Sequence, residues 1–217
     1  MHGHDHEPHP HRHDDFDDAA ATWDDDPSHE ERQQAVARAI REAVRLEPGT
    51  RALDVGAGTG RLSILLADHV GTITITDPSA GMVQVAQESI EAAGLADRAK
   101  ALQVDLTRDT IDGEYDVAWS SMALHHVRDL DAMLAAVRRL LVDGGRLAIA
   151  DLEQDPDGAF HANKVDFDGH HGFDRDELRQ RLTSAGFGDV AFVDATSITK
   201  EDRDFGVFLC TATKLAD

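Results

Sequence analysis

The chain has 217 residues, 41% of them hydrophobic, and a formal net charge of −21 from 21 Lys and Arg against 42 Asp and Glu. This allows one substantial domain with appendages, or two small ones, with a real core, and the shortage of cations argues against an electrostatic nucleic-acid binder, whose phosphate contacts need clustered Lys and Arg. A single cysteine, Cys210, excludes an intrachain disulfide and any four-thiolate metal site; no run approaches the ~18 apolar residues of a membrane span.

Residues 1–31 hold 11 acidic side chains and one Arg, and only Lys100, Lys164, Lys200 and Lys214 are lysines. Such a bias fits a GC-rich genome and a salty cytoplasm, and with no signal peptide opening the chain the expected location is cytoplasmic. The first 13 residues, MHGHDHEPHPHRH, contain six His and almost nothing apolar. They cannot build a core. Residues 1–27 are therefore expected to be a disordered His- and Asp-rich tail whose imidazoles could take a divalent metal, and residues 28–217 the folded domain. Nothing in the pattern sets an oligomeric state.

The first helix is expected from Ser28, with Glu31 at capping-box spacing and Val36, Ile40 and Val44 at helical intervals, ending at Pro48-Gly49. Strand and helix then alternate: strand 51–55, helix 61–68, strand 72–76, helix 79–93, strands 101–104 and 115–119, helix 130–141, strand 146–150 after Gly144-Gly145, and a last helix capped by Asp174. Strands near 189–194 and 206–212 close the chain. This predicts an α/β fold: a Rossmann-like, doubly wound, mostly parallel seven-stranded sheet with helices on both faces. The last two strands have no helix between them, so the final one is expected to be antiparallel. In such sheets ligands bind beyond the carboxyl ends of the strands, near the point where strand order reverses.

The densest chemical signal is Leu53-Asp54-Val55-Gly56-Ala57-Gly58-Thr59-Gly60, at the end of the first strand. Glycines there permit positive φ and let backbone approach a ligand. A phosphate-binding Walker loop would need Lys after its last Gly, and a dinucleotide fingerprint would need Gly where Arg61 stands. Asp77, 21 residues beyond Gly56, ends the second strand, where a carboxylate can accept both ribose hydroxyls. Asp105, ending the third strand, could accept from an adenine amino group while Leu106 and Met82 flank the ring; it could equally cap its own loop.

In these segments the sequence resembles the class I S-adenosylmethionine-dependent methyltransferases. The resemblance rests on LDVGAGTG (53–60), TDPSAGMV (76–83), VDL (104–106), YDVAWSSMALHHV (115–127) and LLVDGGRLAIAD (140–151). The Leu-His-His-Val segment looks most like the branch related to ubiquinone and menaquinone biosynthesis. The resemblance implies S-adenosylmethionine as cofactor and a methyl transfer by in-line displacement to a small-molecule acceptor. It assigns the methionine part to Asp54, Gly56, Ala57, Gly58 and Gly60, the ribose to Asp77, and the adenine to Asp105 and Leu106; Pro78, Met82, Ser120 and Trp23 are counted with them as cofactor-binding. Pro78 is a departure that stiffens the loop after the ribose acid.

Methyl transfer from a sulfonium asks mainly for alignment, and a base only where the acceptor must lose a proton. His125 and His126 follow strand four, four to six residues beyond Ser120-Ser121, and are the candidate catalytic residues; as an alternative they shape the loop. His161, His170 and His171, with Asp166 and Asp168, form a candidate acceptor-side lid but match no metal-ligand spacing. Trp23 is a candidate cover over the cofactor or a hydrophobic staple onto the first helix. Two other functions compete: an NAD(P)-dependent oxidoreductase, disfavoured by Arg61, and a non-catalytic nucleotide- or metal-binding protein, suggested by the tail.

Overall fold

The computed structural model describes residues 13–164 and 167–216. Seven strands form one sheet: β1 (Arg51–Val55), β2 (Thr72–Asp77), β3 (Ala99–Gln103), β4 (Tyr115–Ser121), β5 (Leu141–Leu152), β6 (Phe187–Lys200) and β7 (Arg203–Lys214). Their spatial order is β3-β2-β1-β4-β5-β7-β6. β1 pairs in parallel with β2 and β4, as do β2 with β3 and β4 with β5, while β7 runs antiparallel to both β5 and β6. The doubly wound sheet expected from the alternation is thus present. Its order reverses between β1 and β4.

Helices cover both faces. α2 (Pro27–Ala43), α3 (Arg61–Leu66) and α4 (Ala80–Ala92) close one core around Val36, Ile40, Leu66, Ile75, Ile90 and Trp119. α5 (Leu130–Leu140) and α6 (Arg175–Ser184) close the other around Leu53, Leu134, Ile149, Leu182 and Phe208. β2 reads Thr-Ile-Thr-Ile, an alternation that would suit a half-exposed strand, yet its residues 73–77 are buried. Its threonines tolerate this because hydroxyls can bond locally; Thr76 Oγ1 donates to the Asp54 carbonyl at 2.8 Å.

Side-chain caps fix where helices begin. Ser79, Asp129 and Asp174 accept from backbone amides of α4, α5 and α6. For α2 the expected start at Ser28 is corrected: Asp26 is the cap, accepting from Ser28 N at 2.9 Å, and Pro27 occupies the first helical position, where its missing N–H costs nothing. The helix also stops at Ala43 rather than at Pro48-Gly49, because Val44 turns extended and buries its side chain in the core.

The largest correction concerns the expected tail. Residues 1–12, including most of its histidines, lie outside the described residues, but α1 (His13–Ala19) and a 3-10 turn (Ala20–Asp25) are helical and packed. Asp17 accepts hydrogen bonds from Ser79 Oγ and, at 2.8 Å, from Gly81 N, so its charge sits at the N-terminus of α4. Asp24 accepts from Thr59 Oγ1 at 3.1 Å, in the glycine loop. The folded unit therefore begins before residue 28. No helix among the described residues is long and apolar enough to cross a membrane.

Candidate active site

A cavity of about 450 Å3 opens beyond the carboxyl ends of β1, β2 and β4, at the reversal of strand order. One end is built from the glycine loop, Asp77, Pro78, Met82, Asp105 and Leu106; the other from Phe16, Trp23, His126, Lys164 and Phe167.

Gly56 shows why the loop needs glycine. Its φ is +64°, and a Cβ there would meet the Ala123 Cβ at 2.6 Å, so the loops after β1 and β4 touch backbone to side chain. Asp77 holds the loop: its Oδ2 accepts from Gly58 N at 2.8 Å and its Oδ1 from Ser79 N at 2.9 Å, with the carboxylate still lining the cavity. Asp105 takes up the capping task weighed for it, and it also borders the cavity. Its Oδ1 accepts from Thr107 N (3.0 Å) and Thr107 Oγ1 (2.6 Å).

Several expected site residues stand elsewhere. Gly60, with φ +76°, begins α3 and packs against Ile75 and Ala86 instead of lining the cavity. Ser120 is buried, with Oγ donating to the Val55 carbonyl at 2.8 Å. Asp54 is 1% exposed and accepts from Ser63 Oγ at 2.7 Å, tying β1 to α3 from behind the cavity wall. Burial pushes its carboxyl from 3.8 up to about 7. Because the folded value is the higher one, the stabilising contribution is complete below pH 3.8 and is lost as pH rises through 7. Between pH 5 and 8 the cofactor-free protein should lose about 2–3 kcal/mol that an Asp54→Asn variant does not lose. Urea titrations at both pH values check this; parallel behaviour of the two proteins would show that Asp54 ionises normally in the fold.

The two candidate histidines separate. His126 lines the cavity. His125 is 2% exposed and turns the other way, its Nδ1 bonded to Asp151 Oδ1 at 2.6 Å. His125 thus stands off the cavity lining, where the catalytic reading had put it, and matches the alternative in which it shapes the loop. Burial, then the charges of His125, Lys164 and His161, holds the His126 imidazolium pKa down near 2, so the ring is neutral at ordinary pH and too weakly basic to store a proton. The proposed lid also divides. His170 Nε2 meets the Val127 carbonyl at 2.9 Å, Asp168 pairs with Arg128, Asp166 lies outside the described residues, and His161 joins His125 and His126.

Sequence reasoning missed Phe16, Arg32, Gln33, Ser121 and Phe167, which also line the cavity. One signal was available for Arg32: it continues the Val36–Ile40 stripe of α2 toward the N-terminus, where a cation on an apolar face calls for a polar partner. Among the described residues, Arg32 Nε, Gln33 Oε1 and Ser121 Oγ are buried with no hydrogen-bond partner. Buried polar atoms left open in a cavity are what a polar ligand would satisfy.

Residues 52–145 match the methyltransferase domain family. An O-methyltransferase of Pyrenophora dematioidea is 32% identical over 162 residues, covering 70% of this chain and 59% of its own. A malonyl-[acyl-carrier protein] O-methyltransferase of Geobacter sulfurreducens is 32% identical over 168 residues, covering 70% and 61%. The chain thus spans about three fifths of these relatives' length. In fold, it matches a chain of the Haloferax volcanii complex between the Trm112 methyltransferase activator and a methyltransferase, with a TM-score of 0.76 and 22% identity over 93% of this chain and 98% of that one. Residues 52–145 thus carry the methyltransferase domain, within a chain whose fold is that of the matched structure.

Proposed function

We propose that this chain transfers the methyl group of S-adenosylmethionine to a small-molecule acceptor by in-line displacement, with the acceptor held at the His126 end of the cavity. The carrying observation is that one cavity is lined both by the glycine loop and Asp77 and by Phe16, Trp23, His126 and Phe167. The open polar atoms fit the cofactor. Asp77 would hold the ribose, Asp105 with Leu106 and Met82 the adenine, the 56–58 backbone the methionine part, and Arg32 its carboxylate.

When bound, the cofactor supplies a methyl on a cationic sulfur, a leaving group that needs no protein acid. What this chain adds is alignment and exclusion of water. The Phe16 ring lies 5.8 Å from Trp23 and 5.1 Å, edge-on, from His126, so the three rings form one aromatic wall of the cavity. A neutral His126 can accept or donate one hydrogen bond to the acceptor and orient it. Arg61, which pairs with Glu30 on α2, occupies the place where an NAD-binding loop would have its third glycine. The net charge of −21 suits a salty cytoplasm as the place of reaction.

Incubation with methyl-labelled S-adenosylmethionine and a metabolite extract tests the reading. Label should pass to a small molecule with one S-adenosylhomocysteine formed per methyl. Cofactor binding without methyl loss to any fraction, or preferential binding of NAD, would overturn it.

A further inference from the structure

The cluster behind the cavity wall has a chemistry that methyl transfer alone does not use. His125, His126 and His161 come from two loops, the turn after β4 and the 3-10 turn Ala159–His161, and each offers a ring nitrogen within 4.8 Å of the others. His125 and His161 are 2% and 4% exposed. Among the described residues, neither ring nitrogen of His161 has a hydrogen-bond partner. An imidazole buried in that state forfeits the hydrogen bonds it would make in water, and a ligand held between the rings would restore them.

The rings are held for it. His161 stacks on Phe167, with centroids 3.8 Å apart and planes 7° from parallel. Its turn is fixed by Asp155, 3% exposed, which accepts from Phe160 N at 2.8 Å and pairs with Arg203 at 2.9 Å. On the opposite side Asp151, fully buried, accepts from His125 Nδ1, which leaves Nε2 as the nitrogen His125 can present to the cluster. A carboxylate on the far nitrogen of a ring is the usual outer partner of a metal-bound histidine, since it fixes the tautomer and raises the basicity of the ligating nitrogen.

We propose that His125, His126 and His161 bind a divalent transition metal, zinc by preference, with a fourth position toward the cavity that His126 lines. Three imidazoles with an open place form a known class of zinc site. Zinc–nitrogen bonds of about 2.0–2.1 Å set the ligand nitrogens roughly 3.4 Å apart, so the rings close inward by roughly 1 Å or less. Neutral imidazoles and no carboxylate ligand disfavour calcium and magnesium, which take oxygen. A hydroxyl or thiol on the acceptor would be the natural fourth ligand; that extension rests on the methyl-transfer reading, whereas metal binding stands without it.

The test uses the full chain with His2, His4, His6, His9 and His11 replaced by Ser, so that the tail does not take up metal. Equilibrium dialysis against zinc should find one bound equivalent per chain without cofactor, and zinc X-ray absorption should read three imidazoles. Cobalt should give the visible ligand-field bands of a four- or five-coordinate ion, lost in His161→Gln and His126→Gln variants that still bind S-adenosylmethionine. No bound equivalent would mean that water fills the site; one or two imidazoles in the absorption spectrum, or full binding by both variants, would place the ion elsewhere. Each of these overturns the proposal, and the dialysis and absorption results decide even if the variants do not fold. Label transfer unaffected by zinc removal would reject only the fourth-ligand extension.

Discussion

Asp77→Ala should weaken S-adenosylmethionine binding by about 2–3 kcal/mol, or about 30- to 150-fold, the scale of lost charge-assisted hydrogen bonds. The carboxylate has three tasks at once: it accepts from Gly58 N, it accepts from Ser79 N, and it faces the cavity. Alanine leaves both amides without their acceptor and frees the glycine loop to sample positions that do not fit the ligand. Asp77→Asn keeps one acceptor oxygen and should fall between wild type and Ala. Calorimetric titration reads the affinities and thermal melting separates loss of fold from loss of contact. An alanine variant with unchanged affinity and melting temperature would remove Asp77 from the ribose role.

His125→Ala should cost stability rather than cofactor affinity, by about 3–5 kcal/mol, because it strips a partner from a buried charge. Asp151 is 0% exposed; its carboxylate accepts from Leu152 N at 2.7 Å, His125 N at 3.2 Å and His125 Nδ1 at 2.6 Å. The two backbone bonds survive the substitution and the shortest one does not. Adding Asp151→Asn to the alanine variant removes the stranded charge and should recover part of the loss, a coupling that a double-mutant cycle in urea measures directly. A single-variant cost under about 1 kcal/mol, with no recovery, would show that Asp151 does not depend on the ring.

The parts of the fold legible in the sequence were those where local chemistry and tertiary need agree. β1 and β2 combine apolar or β-branched runs with glycine or an acid at the ends, and both stand where the pattern put them. The glycine loop was legible because Gly56, Gly58 and Gly60 all take positive φ. Which of its neighbours face the cavity was not, since strand alternation does not reveal that Asp54 and Ser120 turn inward toward Ser63 and the Val55 carbonyl. The acidic stretch 14–26 misled for a physical reason: in water its charges favour an open chain, and only the α4 N-terminus and Thr59, more than 30 residues away, make Asp17 and Asp24 into anchors. Long-range hydrogen bonds of this kind leave no periodicity to read. The same holds for His161, whose neighbours His125 and His126 are 35 or more positions distant.

The contact between Gly56 and Ala123 ties two segments into one evolutionary unit. A methyl at position 56 would arrive 2.6 Å from the Ala123 Cβ, so any side chain gained by the first loop has to be given up by the second. Ala123→Gly would open room for it, but only in part, since the backbone at Gly56 stays at φ +64° and an alanine there still bears about 1 kcal/mol of left-handed strain. The two positions can therefore drift only together, and even the permitted path passes through a less stable chain. Variation at the acceptor end of the cavity is more freely reached from residues such as Phe16 and Phe167, which lie on segments outside this lock.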